Sequence, residues 1–127
     1  MSEIFEKLKS KLSEKNIKFD VTSVGIFLLE EGNYEILIID DVKEFIIFLD
    51  ETHLHSESVD EIIKLIDDAL VGNLKIVYKL RGKTRVSNQI QIIENGICKI
   101  LVQSGRLISP FWKKKTFEDV YFRNPTR

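Results

Sequence analysis

The chain has 127 residues, of which 43% are hydrophobic and 31% charged, with two prolines and a formal net charge of −1. These values exclude a disordered or fibrous protein, and they suit one globular domain over residues 1–127 with a frayed tail at 124–127. The single cysteine, Cys98, excludes an intramolecular disulfide.

The amino-terminal residues lack the basic start and the apolar run of a signal peptide. The longest apolar runs, residues 24–29 and 45–49, fall far short of the roughly 18 residues that a membrane-spanning helix needs. We therefore expect a soluble cytoplasmic protein. The composition, rich in Ile and Lys, is consistent with a bacterial or phage source.

The first predicted element is a helix over residues 3–15. Its apolar positions recur at helical spacing and its acids precede its lysines, as the helix dipole prefers; the apolar positions are Ile4, Phe5, Leu8 and Leu12. Asn16 suits the left-handed residue that ends a helix, and an alternating pattern from Ile17 predicts a strand.

Residues 24–30, 34–40 and 44–50 predict an antiparallel meander of three or four strands. These runs are apolar at consecutive positions, so both faces of the sheet call for burial. The C-terminal strands, a second subunit or a protein partner would cover the second face. The polar stretch that follows, residues 50–57, is predicted to be a loop.

A second helix is predicted over about residues 58–71, packed on the sheet. Ser58 and Glu61 have the spacing of a capping box, in which each side chain binds a free backbone NH group. Apolar residues then recur at helical spacing until Gly72 closes the helix.

The C-terminal part predicts a second antiparallel meander. Strands at residues 74–80 and 86–93 flank a basic turn, and Asn95-Gly96 is a strong hairpin signal before a strand at 97–103. Residues 116–122 suit a strand or a short helix, and we favour the strand. With helices and strands in separate runs, the fold class is α+β with antiparallel sheets in a single domain.

The near-neutral charge hides two opposed halves. Residues 1–70 contain 7 Lys/Arg and 17 Asp/Glu, a balance of −10, whereas residues 71–127 contain 12 and 3, a balance of +9. The acidic half could mimic the negative surface of a nucleic acid. Acid pairs are, however, also common at solvated turns.

The basic half supplies the candidate partner-binding residues. Their cations could contact phosphates, with Trp112 as a stacking platform, or could meet an acidic protein surface. Alternatively, they are solvated strand ends or pair with the acidic half inside the folded monomer. The candidates are Arg81, Lys83, Arg85, Arg106, Trp112, Lys113, Lys114 and Lys115.

Catalytic and metal chemistry have weak support. His53 and His55, two positions apart, would point to one side of an extended segment and are weak candidates for a metal site, but a third ligand is missing. Cys98 is expected to pack as a small apolar side chain rather than act as a nucleophile. We therefore expect neither an enzyme nor a cofactor.

No stretch matches a family motif, so any resemblance is one of architecture alone. Small α+β domains with polarised charge and no catalytic groups resemble bacterial immunity proteins and antitoxins, and the opening helix, meander and second helix are similar to dimeric secretion chaperones. The leading expectation is a non-enzymatic protein-binding module, possibly an inhibitor or immunity-type protein. The alternatives are a nucleic-acid-binding module using the basic half and a small chaperone-like homodimer.

Overall fold

The computed structural model describes residues 3–105 and 114–125, and within these residues it contains two helices and nine strands. All strand pairs are antiparallel, which confirms the α+β class and both predicted meanders. The chain forms two compact units, Met1–Asp67 and Asp68–Arg127. No helix in the described ranges is long and apolar enough to cross a membrane.

Helix α1 spans Glu3–Glu14 and buries Phe5, Leu8 and Leu12, whereas Ile4 is exposed. Asn16 ends the helix as predicted, with a φ of 58°. The amide of Ile17 donates to the carbonyl of Leu12 at 3.0 Å, and the amide of Asn16 donates to that of Ser13 at 3.1 Å. This double pattern is a Schellman motif, which satisfies carbonyls that the helix itself leaves unbonded.

The first sheet has the order β1-β2-β3-β4-β5. Its strands are β1 (Phe19–Val21), β2 (Ile26–Leu28), β3 (Ile36–Asp40), β4 (Phe45–Leu49) and β5 (Thr52–Ser56). Burial alternates along each apolar run: Phe45, Ile47 and Leu49 are buried, while Ile46 and Phe48 are half-buried. One face therefore belongs to the core, and the nature of the cover over the second face stays a prediction.

The prediction of a loop over residues 50–57 is wrong, because Thr52–Ser56 is strand β5. Asp50 turns the chain with a φ of 54°, and β5 then pairs with β4 in the register Phe48↔His53 and Ile46↔His55. The strand escaped detection because the residues at both ends of its core-facing side, Thr52 and Ser56, are polar yet buried.

Helix α2 spans Val59–Val71, and Ser58 caps it by accepting the amide of Glu61 at 3.2 Å. The predicted return bond from Glu61 to the Ser58 amide is wrong. Ser56 intervenes: its hydroxyl accepts the Ser58 amide at 3.1 Å and donates to Glu61 Oε2 at 2.9 Å. Gly72, at a φ of 84°, ends the helix as predicted.

The second sheet has the order β8-β7-β6-β9. Its strands are β6 (Leu74–Arg81), β7 (Thr84–Glu94), β8 (Ile97–Gly105) and β9 (Lys115–Tyr121). The hairpin at Asn95-Gly96 is confirmed, with φ angles of 53° and 79° that suit a type I′ turn. The favoured strand near the C-terminus is confirmed as β9, which pairs with β6.

Buried side chains occupy one face of this second sheet: Leu74, Ile76, Tyr78, Ile90 and Ile92. The opposite face carries half-exposed lysine, glutamine and serine side chains. Beyond β9, Pro125 lies against Gly72, where an added Cβ would meet Pro125 Cα at 2.5 Å. Residues 126–127 of the predicted frayed tail lie outside the described residues.

Candidate partner-binding site

The turn between β6 and β7 brings several of the predicted site residues together. Gly82, at a φ of 64°, and Lys83 form a two-residue hairpin turn between Arg81 and Thr84. The Gly82 amide donates to the carbonyl of Lys114 at 2.9 Å, and Arg81 pairs in register with Lys115. Two segments more than 30 positions apart thus meet at one end of the sheet.

We call the resulting cluster of Arg81, Lys83, Lys114 and Lys115 the basic tip. The three lysines are exposed and Arg81 is half-buried. No acidic residue lies between Leu74 and Ile93, so the hairpin itself offers the cluster no counter-charge. Of the other candidates, Arg106, Trp112 and Lys113 lie outside the described residues.

Arg85, also predicted for the site, is engaged within the sheet. Its guanidinium carbon lies 3.9 Å from the centroid of the Tyr78 ring. Its Nη2 and Nε donate to Glu118 Oε1 at 2.6 and 3.1 Å. The three residues sit on adjacent strands, and the carboxylate offsets the charge that Arg85 would otherwise add to the basic tip.

A second pair anchors the opposite face of the sheet. Lys75 Nζ lies 3.3 Å from Asp119 Oδ2. Burial alone would lower the pKa of Lys75, but the charge of Asp119 and the hydrogen bond to it raise that pKa above its usual value. In both pairs the acid belongs to the basic half, residues 71–127, and not to the acidic half that was expected to supply the counter-charge.

Phe117 is a surface residue that the sequence analysis missed. Its side chain is 61% exposed, and Lys115 Nζ lies 5.3 Å from its ring centroid. It pairs in register with Lys79 of β6, so it shares a face with that lysine. The strand favoured over residues 116–122 was predicted without any indication of which of its faces is exposed.

The two histidines lie side by side on the face of β5 that is directed away from the core. Their ring centroids are 5.3 Å apart, and His53 also contacts Phe48 at 5.6 Å. His55 Nδ1 lies 2.8 Å from Glu44 Oε1. Within residues 3–105 and 114–125, no three His, Cys, Asp or Glu side chains lie together in a way that could hold a metal ion.

Cys98 is exposed on β8, so the prediction that it packs as a small apolar side chain is wrong. β8 is an edge strand, and an edge strand has a neighbour on one side only. Alternation in such a strand does not guarantee that either face is covered.

Comparison of the chain with protein-family models, with curated proteins and with solved structures found no match. The geometry of the described residues therefore carries the functional argument.

Proposed function

We propose that this protein is a non-enzymatic binding module that recognises an acidic surface of another protein through the basic tip. The single observation that carries the proposal is the convergence of the β6–β7 turn with the start of β9, where the Gly82 amide binds the Lys114 carbonyl. The three exposed lysines of the basic tip repel one another, so they favour a partner that supplies carboxylates.

Phe117 supplies the apolar component of the same surface. Aromatic and arginine side chains are the common energetic centres of protein interfaces, and a large exposed ring beside cations resembles such a centre. The polar serine and glutamine side chains on the same sheet face would form a hydrogen-bonding rim.

The arrangement suits a protein better than a nucleic acid. A single-stranded nucleic acid needs a basic groove along several phosphates and aromatic faces that are open to stacking. Here the basic tip lies at one end of the sheet, two acids, Glu118 and Asp119, follow Phe117 directly, and Lys115 already lies near the ring. The nucleic-acid alternative is an outcome of the experiment below.

The experiment compares charge reversals on the two units. One variant combines Lys83→Glu, Lys114→Glu and Lys115→Glu; its control combines Lys7→Glu, Lys18→Glu and Lys43→Glu, which are equally exposed and change the net charge equally. Each protein is immobilised and incubated with extract of the source cells. The strongest specific ligand is identified by mass spectrometry, produced in pure form and titrated by calorimetry.

We expect the basic-tip variant to bind this partner at least about tenfold more weakly, and the control to bind it like the wild type. Affinity should also fall as salt rises, because exposed charges are screened. Equal binding by the basic-tip variant would refute the proposal. If the ligand is no longer retained on the immobilised protein after nuclease treatment of the extract, the nucleic-acid-binding function would replace the proposed one.

A bacterial cytoplasmic inhibitor or immunity-type protein is the biological role that fits this proposal. Such proteins bind a partner without chemistry of their own, and in the reducing cytoplasm the exposed thiol of Cys98 would stay reduced.

A further inference from the structure

The two histidines of β5 form a cluster that the proposed function does not use. His53 and His55 are both exposed and lie on the same face of the strand, two positions apart. Every residue of β5 pairs with β4, and Phe48, the partner of His53, has its ring centroid 5.6 Å from that of His53. Because the backbone is held in register, a ligand that binds both rings loses less free energy to ordering than it would on a mobile loop.

Glu44 determines which nitrogen of His55 carries a hydrogen. Its Oε1 lies 2.8 Å from His55 Nδ1, and a carboxylate oxygen can only accept a hydrogen bond. Nδ1 is therefore the donor, and in the neutral ring the lone pair is left on Nε2. Histidines that bind zinc in proteins commonly have this arrangement, in which a carboxylate orients the ring through the nitrogen that does not touch the metal.

The separation of the two rings matches a zinc site. Their centroids are 5.3 Å apart and their planes lie at 65° to each other. Zinc binds an imidazole nitrogen at about 2.0–2.1 Å, which places the ion about 3.2 Å from the ring centroid. Two rings at the observed separation would then meet the ion at an angle of about 110°, the tetrahedral value that zinc prefers. Exposed rings turn readily about χ2, so both can direct a nitrogen at one ion.

The chemistry of the cluster selects the class of ion. Imidazole nitrogens suit zinc and its transition-metal neighbours, whereas calcium and magnesium take oxygen ligands. The cluster also lies within the acidic half of the chain, residues 1–70, whose charge balance of −10 raises the local concentration of cations.

We propose that His53 and His55 bind one zinc ion through a nitrogen of each ring, with Glu44 as the positioning residue that orients His55. This proposal does not depend on the proposed function. In the part of the chain that the structure describes, no group of three or more His, Cys, Asp or Glu side chains could hold a metal. Water therefore completes the coordination, and the ion binds more weakly than at a site with three or four protein ligands.

The test is a calorimetric titration of the full chain with zinc chloride at pH 7. The protein is produced without an affinity tag and freed of metal with a chelator. The ligand variants are His53→Gln and His55→Gln. The positioning variant is Glu44→Ala, and its control is Glu57→Ala, which removes the same charge from an exposed residue just beyond β5. Circular dichroism checks that every variant folds.

We expect one zinc ion per chain for the wild type and the control. Each ligand variant should bind zinc at least about tenfold more weakly, because one nitrogen alone cannot chelate the ion. Glu44→Ala should weaken binding about tenfold, and nitrogen NMR spectra should show that His55 loses its preference for a hydrogen on Nδ1. Lowering the pH to about 5.5 should also weaken binding, because protons compete for the same nitrogens.

Three results would contradict the proposal. Absence of saturable binding by the wild type up to about 0.5 mM zinc, a range that covers micromolar dissociation constants, would overturn it. An unchanged zinc affinity in either folded ligand variant would overturn it equally. If Glu44→Ala weakens binding no more than Glu57→Ala, the positioning role of Glu44 is wrong.

Discussion

Arg85 lies with its guanidinium carbon 3.9 Å from the centroid of the Tyr78 ring, and Tyr78 is almost fully buried. Glu118 of β9, on the other side of β6, accepts hydrogen bonds from the same guanidinium. A residue that the sequence assigns to partner binding therefore stabilises the sheet that carries the binding surface.

The first prediction separates these two roles. Arg85→Ala should lower the free energy of unfolding by about 1 kcal/mol, because it removes a cation–π contact and a partly exposed ion pair. Lys83→Ala, at an exposed turn position, should change it by less than about 0.5 kcal/mol. Urea denaturation of both variants provides the measurement, and equal stabilities would show that the Tyr78 contact contributes nothing.

The second prediction concerns pH. Asp119 raises the pKa of Lys75 in the folded state. The pair therefore stabilises the protein at pH values below the ordinary lysine pKa of 10.5, and this stabilisation is lost as the pH rises through the pKa of Lys75 in the folded state. Asp119→Asn should therefore lower the free energy of unfolding at pH 8, and the difference in that free energy between the variant and the wild type should shrink above pH 10.5. A difference that stays constant from pH 8 to 11 would contradict the coupling.

The third prediction compares two glycines that both have a positive φ. Gly96→Ala should lower the free energy of unfolding by about 1 kcal/mol. Backbone strain alone causes this loss, since no atom lies within 4 Å of the added Cβ. Gly72→Ala should cost about 1 kcal/mol more, because its Cβ would collide with Pro125. Thermal unfolding measures which variant is the less stable. Deleting residues 124–127 should remove the additional destabilisation caused by Gly72→Ala.

The fourth prediction concerns Val42, a β-branched residue with a φ of 66° and 80% exposure. It is the central residue of a γ-turn in which the Lys43 amide donates to the Asp41 carbonyl at 2.7 Å. This form of the turn is strained.

Val42→Asn should therefore stabilise the protein by about 1 kcal/mol, because asparagine tolerates the left-handed region and little apolar contact is lost. Val24→Asn, at an exposed position without a positive φ, serves as the control and should give no gain. Differential scanning calorimetry measures both, and a Val42→Asn variant no more stable than wild type would show that the turn carries no strain.

Local signals predicted most of the elements. The periodicity of both helices, the left-handed residue after α1 and the Asn95-Gly96 turn each act over a few residues, so a single sequence contains them. Strand β5 was missed because the residues at the ends of its core-facing side, Thr52 and Ser56, are polar, and the Ser56 hydroxyl is hydrogen-bonded there. The hydrogen bond from Ser56 to Glu61 joins two side chains five positions apart, and secondary-structure propensities contain no information about such a bond.

The candidate site was predicted in part, for a related reason. The density of cations in the C-terminal half indicated a basic surface, and the structure brings Lys114 and Lys115 to the β6–β7 turn. Which cations are neutralised depends on strand pairing: Glu118 meets Arg85 and Asp119 meets Lys75 only because β9 lies beside β6. Pairing between strands this far apart in sequence cannot be read from one chain.

The placement of β9 beside β6 also orders events during protein synthesis. β6 emerges from the ribosome roughly 40 residues before β9, its second neighbour in the sheet. The strands β6, β7 and β8 can therefore form a three-stranded antiparallel meander while one edge of β6 remains unpaired. At about 5–20 residues per second, that exposure lasts for seconds. The nascent chain would be most vulnerable to misassembly in this interval, and β9 arrives as the strand that closes it.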